Sequence, residues 1–332
     1  MQMLAIDLAK QSFHVHGIAA EGRVVSRRVG RAKLLGLVES LAPKVVAMEA
    51  CATAHHWARA FLTTGCEVRL INPRFVKPFV RGSKNDAVDA EAIFDAASRP
   101  TMRFVPVKST EQQGLQSVHR VRDRLVSQRA NLINHTRGLL AEYDIVYPKG
   151  TARFSHRARA ELAEVTLSPM ARETFEALLD ELEALEVRIE RLEGRLRAIC
   201  REDAVCRRLM GLPGVGPVVA TALRASIGDA RQFRSGRELA AWIGLVPRQY
   251  STGGKSQLGG VGRRANHYLR RQLVHGARAV ALRLATKTDP TSRWFQSVID
   301  RRGLNKGIVA MANKTARIAW ALLRRGEDCV RV

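Results

Sequence analysis

Met1-Gln-Met-Leu-Ala-Ile-Asp7 is an apolar run of strand character that ends on a carboxylate, and Lys44-Val-Val-Ala-Met-Glu49 repeats the device. Open sheets place functional groups at strand ends, so these two stretches frame both the fold and the chemistry. Strand and helix signals alternate around them. Residues 12–20 alternate in polarity and read as the hairpin partner of the first strand, with a Glu21-Gly22 turn into a third strand over 23–29. A short helix over 32–41, the strand ending at Glu49, a helix over 53–64 and a strand over 67–71 follow. Asn72-Pro73 breaks the pattern, and Asn85 is placed to cap a helix running from Asp86 to Ala97. The order βββαβαβα predicts a mixed sheet flanked by helices.

Asp86 and Asp89 stand three residues apart and so share one helix face. With Asp7 and Glu49 they make four carboxylates that a folded chain could bring to one point. Mg²⁺ is a hard cation held by a few carboxylates, water and substrate phosphate. Such an ion can lower the pKa of a water or hydroxyl nucleophile and neutralise charge on phosphorus. Singly, Asp7 and Glu49 are ordinary strand-end polar residues and Asp86 an ordinary helix-capping acid. Jointly they predict a Mg²⁺ site, with Mn²⁺ as a substitute. Glu91 and Asp95 read as solvated helix acids.

At 332 residues the chain exceeds what one core usually organises, which predicts two domains and a connector, bounded at 1–104, 105–204 and 205–332. Lys and Arg number 55 against 31 Asp and Glu, a net charge of +24 that implies a polyanionic partner. Hydrophobic content of 46% excludes global disorder. The cysteines at 51, 66, 200, 206 and 329 show neither CxxC pairing nor zinc spacing, which fits a reducing cytosol. The N-terminus shows no signal peptide, and no apolar run approaches the ~20 residues that span a bilayer. The expected polyanion is therefore nucleic acid, and the expected location cytoplasmic, on the nucleoid when bound to DNA.

Residues 110–145 read as one long helix. Arg120, Arg122, Arg124, Arg129 and Arg137 supply its charge, and Leu115, Val118, Val121, Leu125, Leu132 and Leu139 its apolar side. The basic face is either solvated or turned to nucleic acid, with Arg122 and Arg129 as candidate contacts. Phe175, Leu178, Leu182, Leu185, Ile189, Leu192, Leu196 and Ile199 form a heptad seam. It can close an intramolecular hairpin against 110–145, join two subunits, or do both.

Residues 207–332 read as all-helical. Leu212-Pro-Gly-Val-Gly-Pro-Val-Val-Ala-Thr-Ala-Leu223 has the form of a helix-hairpin-helix turn, in which Gly214 and Gly216 allow amides to point at a phosphate. The plainer alternative is a tight corner between helices. The polar stretch Pro247-Arg-Gln-Tyr-Ser-Thr-Gly-Gly-Lys-Ser256, continuing to Arg264, has no apolar period and reads as a functional loop. Arg248, Lys255, Arg263 and Arg264 are its candidate phosphate contacts. A serine hydroxyl is a poor nucleophile unless activated, and on the residues alone Ser251 and Thr252 read as a turn with Gly253-Gly254. His267 and His275 complete no hydrolase triad.

The sequence as a whole resembles the DEDD-type insertion-sequence transposases, RNA-guided serine recombinases whose first domain is similar to the RuvC Holliday-junction resolvase. The resemblance runs through Ala5-Ile-Asp-Leu-Ala-Lys10, Met48-Glu-Ala50, Ile71-Asn-Pro73 and Lys84-Asn-Asp-Ala-Val-Asp-Ala90. It continues through Leu212-Pro-Gly-Val-Gly216, Gly244-Leu-Val-Pro-Arg-Gln-Tyr-Ser-Thr-Gly-Gly-Lys255 and His275-Gly-Ala-Arg278. It implies an RNase H-like (RuvC-like) first domain with Asp7, Glu49, Asp86 and Asp89 as DEDD metal ligands. It implies a helical C-terminal domain whose serine attacks DNA and forms a covalent phosphoserine link. Many relatives place that serine directly before a glycine, and here Thr252 fills the slot. The chain is most similar to the subgroup with a Ser-Ser/Thr-Gly-Gly-Lys loop, which makes Ser251 the matching residue and Thr252 its competitor. The resemblance further implies a non-coding guide RNA from the element, pairing with donor and target double-stranded DNA. It implies a tetramer, a dimer of dimers, in which acids and serine come from different subunits. Two rival expectations are a RuvC-like structure-specific endonuclease that uses water, and a non-catalytic nucleic-acid-binding scaffold.

Overall fold

Leu4 and Ile6 point to one side of the first strand and Met3 and Ala5 to the other, and all four are buried. That double burial explains the unbroken apolar run before Asp7. The strand, β1 (Met3–Asp7), lies third in a six-stranded sheet of order β3-β2-β1-β4-β5-β6. Its neighbours are β2 (Ser12–Ile18), antiparallel, and β4 (Val45–Glu49), parallel. β3 (Val24–Gly30) pairs antiparallel with β2, and β5 (Glu67–Ile71) parallel with β4. A sixth strand that the sequence did not announce, β6 (Phe104–Val105), adds antiparallel to β5.

Two cores cover the two faces. Leu4, Ile6, Val46, Met48 and Leu70 meet α1 (Leu34–Leu41) and α2 (Ala54–Thr63) through Leu34, Val38, Trp57 and Phe61. Met3, Ala5, Val45, Ala47 and Ile71 meet the short α3 (Pro73–Val76) through Val76, and α4 (Asp86–Ala97) through Ala92, Ile93, Ala96 and Ala97. Each large side chain buried this way contributes about 1.5–3 kcal/mol. Asn85 caps α4 as expected, its Oδ1 accepting from the Ala87 amide at 3.0 Å. The mixed sheet with flanking helices is compatible with an RNase H-like domain.

The computed structural model describes residues 1–19, 21–82, 85–148, 150, 154–262 and 265–326. They divide into two units, Met1–Thr110 and Glu111–Val332. The second unit is mostly helical. α5 (Thr110–Ala141) and α7 (Pro169–Glu202) run antiparallel: Leu115 packs with Leu196, Leu125 with Leu185 and Ile189, and Ile133 and Leu140 with Phe175, Leu179 and Leu182. The heptad seam is thus consumed inside the chain. α6 (Phe154–Glu164), which no sequence pattern had signalled, closes the open end through Phe154, Ala158 and Leu162. α8 (Ala204–Met210), α9 (Pro217–Ile227), α10 (Gly236–Ile243), α11 (His267–Ala281), α12 (Pro290–Arg302) and α13 (Leu304–Arg325) share a second core, with Phe295 among its largest fully buried members.

The expectation of an all-helical C-terminal region needs correcting. β7 (Pro247–Thr252) and β8 (Lys255–Val261) form an antiparallel hairpin where a loop was read. Gly253 and Gly254 both take positive φ, 55° and 76°, and close a two-residue turn of the kind that matches strand twist. Every residue of the hairpin is exposed, so it carries no apolar alternation to read.

Candidate active site

Strand alternation decides where the first two acids point. Odd-numbered residues of β1 and β4 face α4, and Asp7 and Glu49 continue that series. Ile6 pairs with Met48, so one further step sets Asp7 beside Glu49. On the covering helix Asp89 turns to the same place. Asp7, Glu49 and Asp89 line one cavity of about 340 Å³, together with Arg74, Lys77 and apolar side chains of α3 and α4.

The electrostatics follow from that crowding. Glu49 is held above the ordinary carboxylate range, first by burial and then by the negative charges of Asp7 and Asp89. Like charges gathered in a half-buried cavity make it a candidate cation site. Among the described residues, however, no three His, Cys, Asp or Glu side chains stand close enough to enclose an ion. The donor set therefore suits a hard divalent ion held by one or two carboxylates, water and phosphate oxygens, not an all-protein cage. Cys51 lies close by, its thiol pushed up to about 11 by burial, then by Glu49 and, less strongly, Asp7. A neutral thiol does not compete as nucleophile at neutral pH.

The fourth acid stands apart. Asp86 is exposed, does not line the cavity, and acts on His14 of β2, partly offsetting the lowering of that imidazole by burial. Arg74 and Lys77 were missed by the sequence reading. Asn72 caps the short α3 by accepting from the Arg74 amide at 3.1 Å, with Pro73 in its first turn, and so fixes the segment that carries both cations. The Asn72-Pro73 break was the available signal.

In the second unit, Ser251 is exposed on β7 and accepts from the Gln249 side-chain amide at 2.9 Å. Cross-strand partners share a face, so Ser251 stands with Ser256, and Thr252 with Lys255. Arg248 alternates onto the Thr252 side. Lys255 is thus the cross-strand partner of the threonine, not of the serine.

The other candidate contacts divide. Arg122 turns inward and donates to Glu193 of α7 at 2.5 Å, which commits its charge to helix packing. Arg129 is half-buried, its Nε withdrawn from solvent without a hydrogen-bond partner among the described residues. Gly214 takes φ 77°, and a Cβ there would lie 2.6 Å from the Gly276 carbonyl oxygen of α11. The glycine is needed for that backbone crossing, as a tight corner requires. Gly216 caps α9 in extended conformation with open space about it. Arg263 and Arg264 lie outside the described residues.

Residues 4–145 match the DEDD-type IS110 transposase family, and residues 206–293 the family described as "Transposase IS116/IS110/IS902 family". A protein of Pseudomonas aeruginosa described as a "probable family 20 transposase" is 51% identical, over 100% of this chain and 99% of its own length. The transposase for element IS1111A of Coxiella burnetii is 44% identical, over 98% of this chain and 91% of its own. The chain belongs to the IS110 family of insertion-sequence transposases. The IS1328 transposase of Yersinia enterocolitica, 39% identical over 98% of the chain and 97% of its own, agrees. This transposase is thus a DNA transposition enzyme that binds DNA. No helix among its described residues is long and apolar enough to cross a membrane.

Proposed function

We propose that this transposase is an RNA-guided recombinase that cleaves and rejoins DNA through a phosphoserine intermediate on Ser251. One or two of the carboxylates of Asp7, Glu49 and Asp89 would hold Mg²⁺, or Mn²⁺ in its place, with Asp86 as the fourth acid on the same helix. When bound, the ion withdraws charge from the scissile phosphate and acidifies the attacking hydroxyl. Arg74 and Lys77 orient the phosphate by charge. Ser251 Oγ forms a bond to phosphorus as the bond to the leaving strand end breaks, and the serine proton ends on the departing oxygen. The diester count is unchanged, so the strand can be rejoined by the reverse attack without an outside energy source. Following the family resemblance, the acids and the serine act from different subunits of a dimer or tetramer, and an element-encoded RNA supplies sequence choice. The net charge of +24 supports a protein that grips backbones while pairing reads the bases.

The observation that carries this reading is the cavity lined by three mutually repelling carboxylates and two cations. The test uses purified protein, element DNA and transcripts from the element's flanks, resolved on denaturing gels. A protein–DNA adduct that requires Mg²⁺ and disappears in Ser251→Ala but persists in Thr252→Ala is expected. Cleavage that survives Ser251→Ala with no adduct would instead assign a water-using nuclease.

A further inference from the structure

A larger concavity lies wholly within the second unit. α10, α12, α13 and the base of the hairpin enclose a groove of about 1660 Å³. Its walls are drawn together by glycines. A Cβ on Gly236 would lie 2.9 Å from the Arg317 carbonyl oxygen, and one on Gly307 would lie 2.6 Å from Ile299 Cγ1. Asn313 of α13 donates to the Leu245 carbonyl at 3.2 Å and ties that helix to the chain entering the hairpin.

The lining is one-sided in charge. Arg237, Arg302, Lys306, Lys314 and Arg317 border the groove, and no Asp or Glu among the described residues does. None of the five is ion-paired among the described residues. Two indoles complete it. Trp294 is half-buried, with Lys314 Nζ 4.3 Å from its ring centroid. Trp320 donates its N–H to the Ala230 and Phe233 carbonyls at 3.2 and 3.1 Å, which locks the ring in place. The volume exceeds the roughly 300–1,000 Å³ of small-molecule sites, and the groove is open to solvent, so a segment of polymer fits it better than a metabolite. Cations beside an aromatic ring are the combination that holds unpaired strands, phosphates on the rim and a base on the ring, here one from which Lys314 would move aside. A duplex hides its base faces in its own stack and could use only the rim. Leu258, which lines the groove, shares a hairpin face with Gln249, its cross-strand partner, and with Ser251 two residues on.

We propose that this groove binds an unpaired strand of nucleic acid, with one base stacked on Trp294 and its phosphates carried by Arg302, Lys306 and Arg317. Which strand arrives there rests on the recombinase reading; the binding chemistry does not. The test is fluorescence anisotropy of the full chain with labelled oligouridylate, oligothymidylate and a mixed-sequence duplex. Trp294→Ala should weaken single-strand binding about tenfold, and Trp294→Phe should restore most of it, as base–aromatic stacking requires. The exposed triple variant Arg302→Ala, Lys306→Ala, Arg317→Ala should reduce the slope of log affinity against log salt by about 2 for single strands. Dependence on Trp294 with either oligonucleotide bears the proposal out, and a preference between the two names the strand as RNA or DNA. Unchanged single-strand binding in both variants, with melting temperatures retained, overturns it. So does a duplex that loses as much affinity to Trp294→Ala as the single strands do. Loss of single-strand binding in these variants, alongside no serine adduct in any preparation, would sink the recombinase reading and leave the groove standing. An adduct with a groove indifferent to Trp294 would do the reverse.

Discussion

Asp7, Glu49 and Asp89 stand on strands and a helix packed into two cores, whereas Ser251 stands on a hairpin in which every residue is exposed. The acids are held in mutual repulsion by burial that the sheet enforces. The serine is held by backbone pairing, a Gly-Gly turn and one exposed hydrogen bond from Gln249, and isolated two-stranded hairpins are marginal in water. On the proposed reading, one half of the chemistry is built into a packed sheet and the other stands on an exposed hairpin. Mutations should separate the two: changes at the acids should move activity and stability together, and changes on the hairpin should move activity alone.

The largest effect should come from Ser251→Ala. It should remove the covalent adduct and lower strand cleavage at least about a thousandfold, as loss of a nucleophile does. Melting should stay within about 0.5 kcal/mol of the unaltered protein, since an exposed side chain is removed. A large drop in melting temperature would break the comparison by showing that the hairpin is structurally supported.

Asp89→Asn should follow, with a fall in cleavage of about a hundredfold to a thousandfold, the usual loss for one charge-stabilising group. Asp86→Asn should lose less than about tenfold, because that carboxylate lies outside the cavity. Equal losses measured side by side would mean that the start of α4 turns inward when DNA and metal bind.

Gly276→Ala sharpens the contrast from the packed side. Its methyl would collide with the Gly214 carbonyl. Overpacking of this kind destabilises by about 1–3 kcal/mol, to be read as a lower denaturation midpoint with unchanged slope. Gly254→Val on the hairpin, forced to a φ of 76°, should leave that midpoint alone while lowering adduct formation.

What was legible in the sequence divides along the same line. The runs ending at Asp7 and Glu49 could be read because burial on both sheet faces demands unbroken apolar character. The Asn85 cap could be read because a local hydrogen bond fixes it. The heptad seam announced itself but not its partner, since an apolar stripe fits a helix of the same chain as well as one of another. β6 escaped because two residues acquire strand geometry only by pairing with β5. The hairpin escaped because exposure removes the apolar alternation, although Thr252-Gly-Gly-Lys255 held the turn signal. Arg74 and Lys77 reach the cavity by the folding of α3, and no spacing encodes that.

The smallest effect tests the repulsion itself. The Glu49 carboxyl titrates above its unfolded value, near about 4.3 for a glutamate, because burial and then Asp7 and Asp89 disfavour its charge. A proton bound more tightly in the folded state stabilises the fold. That contribution is complete below the unfolded pKa and is lost as pH rises through the raised folded one. At neutral pH, without divalent ions, the ionised Glu49 is therefore a liability, and Glu49→Gln should melt higher than the unaltered protein although it cleaves DNA more slowly. The gap should close as pH falls toward the unfolded value. Adding Mg²⁺ should raise the melting temperature of the unaltered protein and do less for Glu49→Gln, since a ligand that binds only the folded state stabilises it by its own affinity. Identical melting of the two proteins at neutral pH, with and without Mg²⁺, would show that the cavity holds no strain for a cation to relieve, and the contrast in stability between the acids and the hairpin would fall with it.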